Sequence, residues 1–152
     1  VRSRRQRQMC IRDRCITLCL YFKTSLMNIP SDLLYSNDHE WVKLDGEIAT
    51  IGITDFAQRE LGDIVYIEIE TVGDTLEREQ VFGTVEAVKT VSDLFMPIGG
   101  EVIEFNTALE DTPEAVNDQP YELGWMIKIK MDNSAQLKHL LSADKYKQFI
   151  QA

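Results

Sequence analysis

From His39 to Met131 the sequence consists largely of short runs in which apolar and polar residues alternate, and turn residues separate the runs. That period of two restricts the fold more than any other feature, because only extended strands place successive side chains on opposite faces. In "DIVYIEIE", Ile64, Tyr66 and Glu68 are expected on one face, with Val65, Ile67 and Ile69 on the other. "HEWVKL" and "EIATIGI" flank Asp45-Gly46, a short-range hairpin signal. "VFGTVEAV", "TVSDLFM", "GGEVIEF" and "WMIKIKM" continue the pattern. In the last, Trp125, Ile127 and Ile129 are expected inward and Lys128 and Lys130 outward.

Three stretches break the alternation. "TDFAQRELG" has Thr54 or Asp55 as N-cap, Phe56, Ala57 and Leu61 at helical spacing, and Gly62 as a stop, which predicts one short helix. "NTALEDTPEAVNDQPYELG" reads as a loop with one helical turn, and "VGDTLE" as a turn. In the tail, Leu137, Leu140 and Leu141 form one stripe at a period of 3.6, and Ser142 is placed to cap a second short helix ending near Ile150. Many short strands with a terminal helix predict a mainly β fold, a small sandwich or barrel with helical additions. A faint internal echo relates "GITDFAQRELGDIVYIE" to "GTVEAVKTVSDLFMPIGGEVIE".

The 152 residues suffice for one domain with one real core, and 44% hydrophobic with 27% charged is ordinary for a globular chain. Charge divides it: residues 1–26 hold seven Lys/Arg and one acid, which leaves nine against twenty-four in residues 27–152. So acidic a body repels phosphate backbones and argues against a nucleic-acid partner. No run is long and apolar enough to suggest a membrane span. Cys10, Cys15 and Cys19 all precede Met27, so the body has no thiol, disulfide or cysteine metal site of its own.

Residues 1–26 admit three readings. Arg-rich and acid-poor, they fit a mitochondrial transit peptide. Cys-x4-Cys-x3-Cys is a weak metal signal without a fourth ligand. "RQRQMCIRDR" also resembles translated upstream or adapter sequence ahead of a start at Met27. The segment is expected to be a disordered, non-native or targeting extension, with the domain running from 27 to 152. The corresponding location is the cytoplasm, or the mitochondrial matrix if the extension is a genuine transit peptide.

Catalytic motifs are missing. There is no Gly-x-Ser-x-Gly, P-loop, Gly-x-Gly-x-x-Gly or His-Glu-x-x-His, and no nucleophile-base pair presents itself. His139 lies in a polar stretch and is expected at the surface. What stands out is Lys89, a lone cation between Val88 and Val91 in "FGTVEAVKTVSDLFMP", with no Gly, Pro or Asn to announce a turn. An ordinary edge-strand lysine is the plain explanation. The alternative places Lys89 at the apex of a hairpin, where two apolar strands fix its Cα while the amine projects into water. That geometry suits attachment of a prosthetic group, which would replace a point charge with a long neutral arm.

The residues carry this further. "HEW", "ATIGITDFAQRELGDIVYIE", "FGTVEAVKTVSDLFMPIGGEVIEFN" and "NDQPYELGWMIKIK" follow one another as in the H-protein family of the glycine cleavage system, which the chain resembles over essentially all of residues 27–152. Most specific is the tether segment, with Glu86 three residues before Lys89 and Ser92-Asp93 three and four after it. Biotin carriers flank their lysine with methionines, and lipoyl domains of 2-oxo-acid dehydrogenases show Asp-Lys-Ala and lack the "HEW" strand. The resemblance implies a hybrid barrel-sandwich fold and lipoate amide-linked to Lys89. It also implies a carrier that is not itself an enzyme, acting as a monomer. The aminomethyl group of glycine would pass from glycine decarboxylase to aminomethyltransferase, with reoxidation by dihydrolipoamide dehydrogenase; a lipoate ligase or lipoyl transferase would attach the arm.

The same resemblance places the loaded arm in a surface cleft, with Glu40 and Asp93 facing its protonated nitrogen and Asp38 beside them. His39 would orient that cleft or serve only the structure. Glu86 becomes a recognition handle for the lipoylating enzyme. Two departures bear on these expectations: Leu123 replaces an acidic or flexible loop position, and Phe56 replaces a histidine found in some relatives. Three alternatives stay open. A lipoate or octanoate relay would pass its acyl group to other carrier domains, an interaction module would leave Lys89 inert, and an independent enzyme would turn over as apoprotein.

Overall fold

Alternating runs pair first with their nearest neighbours in the computed structural model, which describes residues 27–151. The expectations for residues 1–26 lie outside the described residues. Strands β2 (Glu40–Asp45) and β3 (Ile48–Ile53) form the expected hairpin, closed by Gly46 and Glu47. Gly46 takes φ 67°, a conformation costly for a residue with a Cβ. A seven-stranded antiparallel sheet grows around this hairpin in the order β10 (Leu141–Ser142), β1 (Leu34–Tyr35), β2, β3, β9 (Ile127–Met131), β8 (Gly100–Phe105) and β5 (Thr75–Leu76). The second sheet has three strands, with β6 (Val81–Ala87) between β4 (Ile64–Glu68) and β7 (Val91–Phe95). Helix α1 (Asp55–Leu61) joins the two sheets.

The main core lies between the sheets and includes Val42, Ile51, Ile67, Phe82, Val85, Leu94, Val102, Ile127 and Ile129. A smaller cluster closes one flank, where Tyr146 of α4 (Ala143–Phe149) stacks on Tyr35 at 4.6 Å beside Trp41. Trp41 crosses its antiparallel neighbour Gly52, and its indole N–H donates to Pro120 O at 3.0 Å. A Cβ on Gly52 would stand 2.8 Å from the Trp41 ring, so only glycine allows the indole to lie flat there. Gly52→Ala is expected to lower stability by about 2 kcal/mol, read from the midpoint of denaturant unfolding at unchanged slope.

Several expectations need correction. Alternation fails in β4: Ile64 and Ile67 are both buried, while Val65 and Tyr66 are both exposed. A register shift between Ile64 and Tyr66 inserts one extra residue opposite β6, which turns the faces over within the strand. The leucine stripe of the tail is not one helix. Leu137 lies in a 3₁₀ turn (Ser134–His139), whereas Leu141 pairs with Tyr35 as an edge strand. Ser142 precedes α4 as expected, yet its side chain makes no capping hydrogen bond. The long loop after β8 holds two single helical turns, α2 (Ala108–Asp111) and α3 (Ala115–Asp118), where one is expected. "VGDTLE" contains the short strand β5. Ile127 and Ile129 do point inward, while Trp125 is only half-buried and lies under the Lys128 amine at 4.5 Å.

Candidate functional site

Strands β6 and β7 are joined by the tightest link available, with Ala87 N–H donating to Thr90 O at 2.8 Å and Thr90 N–H to Ala87 O at 3.3 Å. Val88 and Lys89 are therefore the two central turn residues, and neither is among the residues with positive φ. Such a turn accepts most residue types, which is why no Gly or Asn announces it. A hydrogen bond from Val88 N–H to Asp63 O, 3.0 Å, fastens the turn to the connection between α1 and β4. Lys89 is exposed, and its aliphatic stem lies over Gly62, whose Cβ, if it had one, would stand 3.3 Å from Lys89 Cε. Gly62 ends α1 at φ 85°, a conformation that favours glycine. Among the described residues no carboxylate pairs with the Lys89 amine.

The hairpin that carries Lys89 also walls an open cleft of about 430 Å³. Val85, Ser92, Asp93 and Leu94 form this wall; Phe56, Ala57, Glu60 and Leu61 of α1 form the opposite one. Asp38, His39, Glu40 and Ile53 complete the lining. His39, Glu40 and Asp93 thus share one cavity. Glu86 lies outside it, exposed between Tyr66 and Val91 on the outer face of the three-stranded sheet.

Glu40 is the most unusual group of the site, since it is only 2% exposed. It accepts hydrogen bonds from the Ser36 hydroxyl and from Phe95 N–H at 3.3 Å, which ties β2 to β7 across the sheets. Burial pushes its carboxyl up from the usual 4.5 to about 7, and the nearby Asp38 charge adds to the rise against the pull of those hydrogen bonds. His39 stands at φ 72°, held by Thr54 N–H on its carbonyl at 2.9 Å. Its Nδ1 lies 2.8 Å from the Tyr146 hydroxyl, and its ring packs against Phe56 at 4.6 Å and Phe149 at 5.8 Å. Burial lowers its pKa, against the opposing charges of Asp38 and Glu60, so the ring is neutral at pH 7. Asp93 is exposed on the rim.

Ser36, Glu60 and Gly62 also shape this site, and none is singled out for it in the sequence. Ser36 precedes Glu40 by four residues without any periodic cue, and Gly62 is legible only as a helix stop. The departures are accommodated: Leu123 points to solvent, 60% exposed, while Gly124 holds the loop through its N–H on Gln119 O at 2.9 Å. Phe56 supplies an apolar wall where a histidine would offer a polar contact. Among the described residues no group of three His, Cys, Asp or Glu is placed to hold a metal ion, and no helix is long and apolar enough to cross a membrane.

The family model described as glycine cleavage H-protein matches residues 33–152. A glycine cleavage system H protein of Bacteroides fragilis is 55% identical over 126 residues, which cover 83% of this chain and all of that one. One from Staphylococcus carnosus is 53% identical over 124 residues, covering 82% and 98% of the two chains. The crystal structure of a glycine cleavage system H protein from Mycobacterium marinum superposes with a TM-score of 0.73 at 34% identity, over 82% of this chain and all of that one. Match length, identity and fold agree, and the chain belongs to the glycine cleavage H-protein family, the lipoyl carriers of that system.

Proposed function

We propose that Lys89 is the lipoyl attachment site and that the adjoining cleft receives the loaded end of the arm. The observation that carries this is the hairpin itself: the strands that raise Lys89 at their apex also form a wall of the cleft. The residues present fit the group. An exposed amine on a rigid turn is open to acylation, and a cleft with apolar sides and acidic groups at Asp38, Glu40 and Asp93 matches an aliphatic arm ending in a cation. Lipoate bound there supplies the sulfur chemistry that holds the aminomethyl group. The chain supplies position, charge and exclusion of water, and is a carrier with no turnover of its own.

Each residue then has a physical task. Glu40 and Asp93 face the amine end, where a charge pair out of bulk water is far stronger than one in it. His39, kept neutral by burial, shapes the wall without adding a competing positive charge. Glu86 offers a carboxylate on the face turned away from the cleft, between Tyr66 and Val91, so the lipoylating enzyme grips the hairpin without entering the cleft. Glycine decarboxylase, aminomethyltransferase and dihydrolipoamide dehydrogenase are the partners that load, unload and reoxidise the arm, and the acidic body favours basic docking surfaces on them.

The test is the intact mass of the protein after expression with a lipoate ligase in lipoate-supplied cells, followed by peptide mapping. One lipoyl group is expected, on the peptide containing Lys89. Absence of the group, or its recovery on another lysine, would remove the proposal.

A further inference from the structure

The turn that holds Lys89 rests on three residues, Gly62, Asp63 and Ile64. Gly62 supports the Lys89 stem, Asp63 O receives Val88 N–H, and Ile64 pairs with Ala87 at the end of β6. Gly62 caps α1, its N–H donating to Gln58 O at 2.9 Å, but its carbonyl, Asp63 and Ile64 lie beyond the helix. Further support for this connection comes from far along the chain. Asn117, in α3, donates from Nδ2 to Gly62 O at 2.9 Å and to Gln58 Oε1 at 3.0 Å, and its Oδ1 accepts from Ile64 N–H at 3.0 Å. Every one of these bonds lands on the end of α1 or the start of β4.

A side-chain amide offers two donors and an acceptor at once, so a single residue satisfies the last carbonyl of the helix connection and the first N–H of the strand. Aspartate has no donor to offer, and an apolar residue has neither. Resting on the reading of Lys89 as the tether, we infer that Asn117 is its positioning residue. From the loop between β8 and β9 it clamps residues 62–64, and through them sets the height and direction at which Lys89 is presented. A modifying enzyme needs a fixed approach to the amine, because misplacement of a reacting atom costs rate steeply.

The test uses the full apoprotein and four chains: wild type, Asn117→Ala, Asn117→Asp and Asn106→Ala. Asn106 is the control. It ties the same connection through Nδ2 bonds to Leu123 O and Trp125 O, both 2.9 Å, but touches nothing in residues 62–64. Amide exchange at Val88 and kcat/KM for lipoylation by a lipoate ligase are read beside thermal unfolding. In Asn117→Ala, Val88 is expected to exchange about fivefold faster or more, with kcat/KM lower by about tenfold. Asn106→Ala should lose stability and leave both readings at wild-type values. Asn117→Asp keeps the acceptor and loses both donors, and carries the test if the alanine variant does not fold. Unchanged Val88 exchange and kcat/KM in the Asn117 variants, or equal changes in Asn106→Ala, would overturn the inference. A wild-type chain that takes no lipoyl group on Lys89 would instead remove the tether reading, while Val88 exchange still reports on the clamp.

Discussion

Lys89→Arg is expected to take up no lipoyl group, while its thermal unfolding stays within about 0.5 kcal/mol of wild type. The substitution keeps the positive charge and a long stem over Gly62, and among the described residues Lys89 makes no ion pair that arginine would disturb. What it removes is the nucleophile: a guanidinium stays protonated to beyond about pH 12 and does not act as an acyl acceptor. Loss is expected to be complete, because the other lysines among the described residues sit away from this turn. Lys128, for example, is occupied by Glu104 at 2.7 Å and by the Trp125 face. Intact mass and peptide mapping decide it. A lipoyl mass gained by the variant would place the tether on a different residue and separate the cleft from the arm.

Glu40→Gln is expected to gain stability relative to wild type as pH rises, by about 3 kcal/mol between pH 4 and pH 8. The sign follows from burial. In the unfolded chain the carboxyl loses its proton near 4.5, whereas in the fold it holds that proton up to about 7. Between those values the native state binds more protons than the unfolded state, so wild-type stability falls with pH across the window. Below it both carboxyls are neutral; above it the buried charge costs its full penalty, and glutamine never carries that charge. Glutamine also keeps an acceptor for Phe95 N–H, and its amide can donate to the Ser36 hydroxyl oxygen, reversing the bond that Ser36 now donates to the carboxylate. Denaturant unfolding of both chains at several pH values measures the difference. A difference that does not change with pH would mean that Glu40 ionises as an ordinary surface acid.

That penalty bears on the proposed role. A carboxylate destabilised by burial gains most when a cation arrives, since the pair then offsets the desolvation that each charge suffers alone. On the proposed reading, the poor environment of Glu40 would contribute part of the affinity for a loaded arm. The same carboxyl, still protonated at mildly acidic pH, would hold a cationic arm less well.

Much of this molecule is legible residue by residue. The paired strands β2 and β3, the helix bounded by Thr54 and Gly62, and the strands on either side of Lys89 all follow from local signals. A period of two, a cap and a glycine stop act over only a few residues. The apex position of Lys89 is only one of two readings the sequence allows, beside an edge-strand lysine, because a turn without positive φ leaves no Gly or Asn to mark it. Strands of two residues, such as β1, β5 and β10, leave no periodic trace, and the bulge at Val65 depends on what β6 places opposite it.

The site itself needed tertiary structure. Glu40 and Asp93 are recognisable as acids, but their meeting in one cleft depends on packing β2 of one sheet against β7 of the other. The elevated pKa of Glu40 comes chiefly from burial between the packed sheets, with a smaller push from the Asp38 charge two residues away. Asn117 is joined to Gly62 across fifty-five positions, a distance over which no short-range pattern operates. Local conformational preference writes strands and turns into the sequence, whereas desolvation and long-range hydrogen bonding exist only once the sheets have closed on each other.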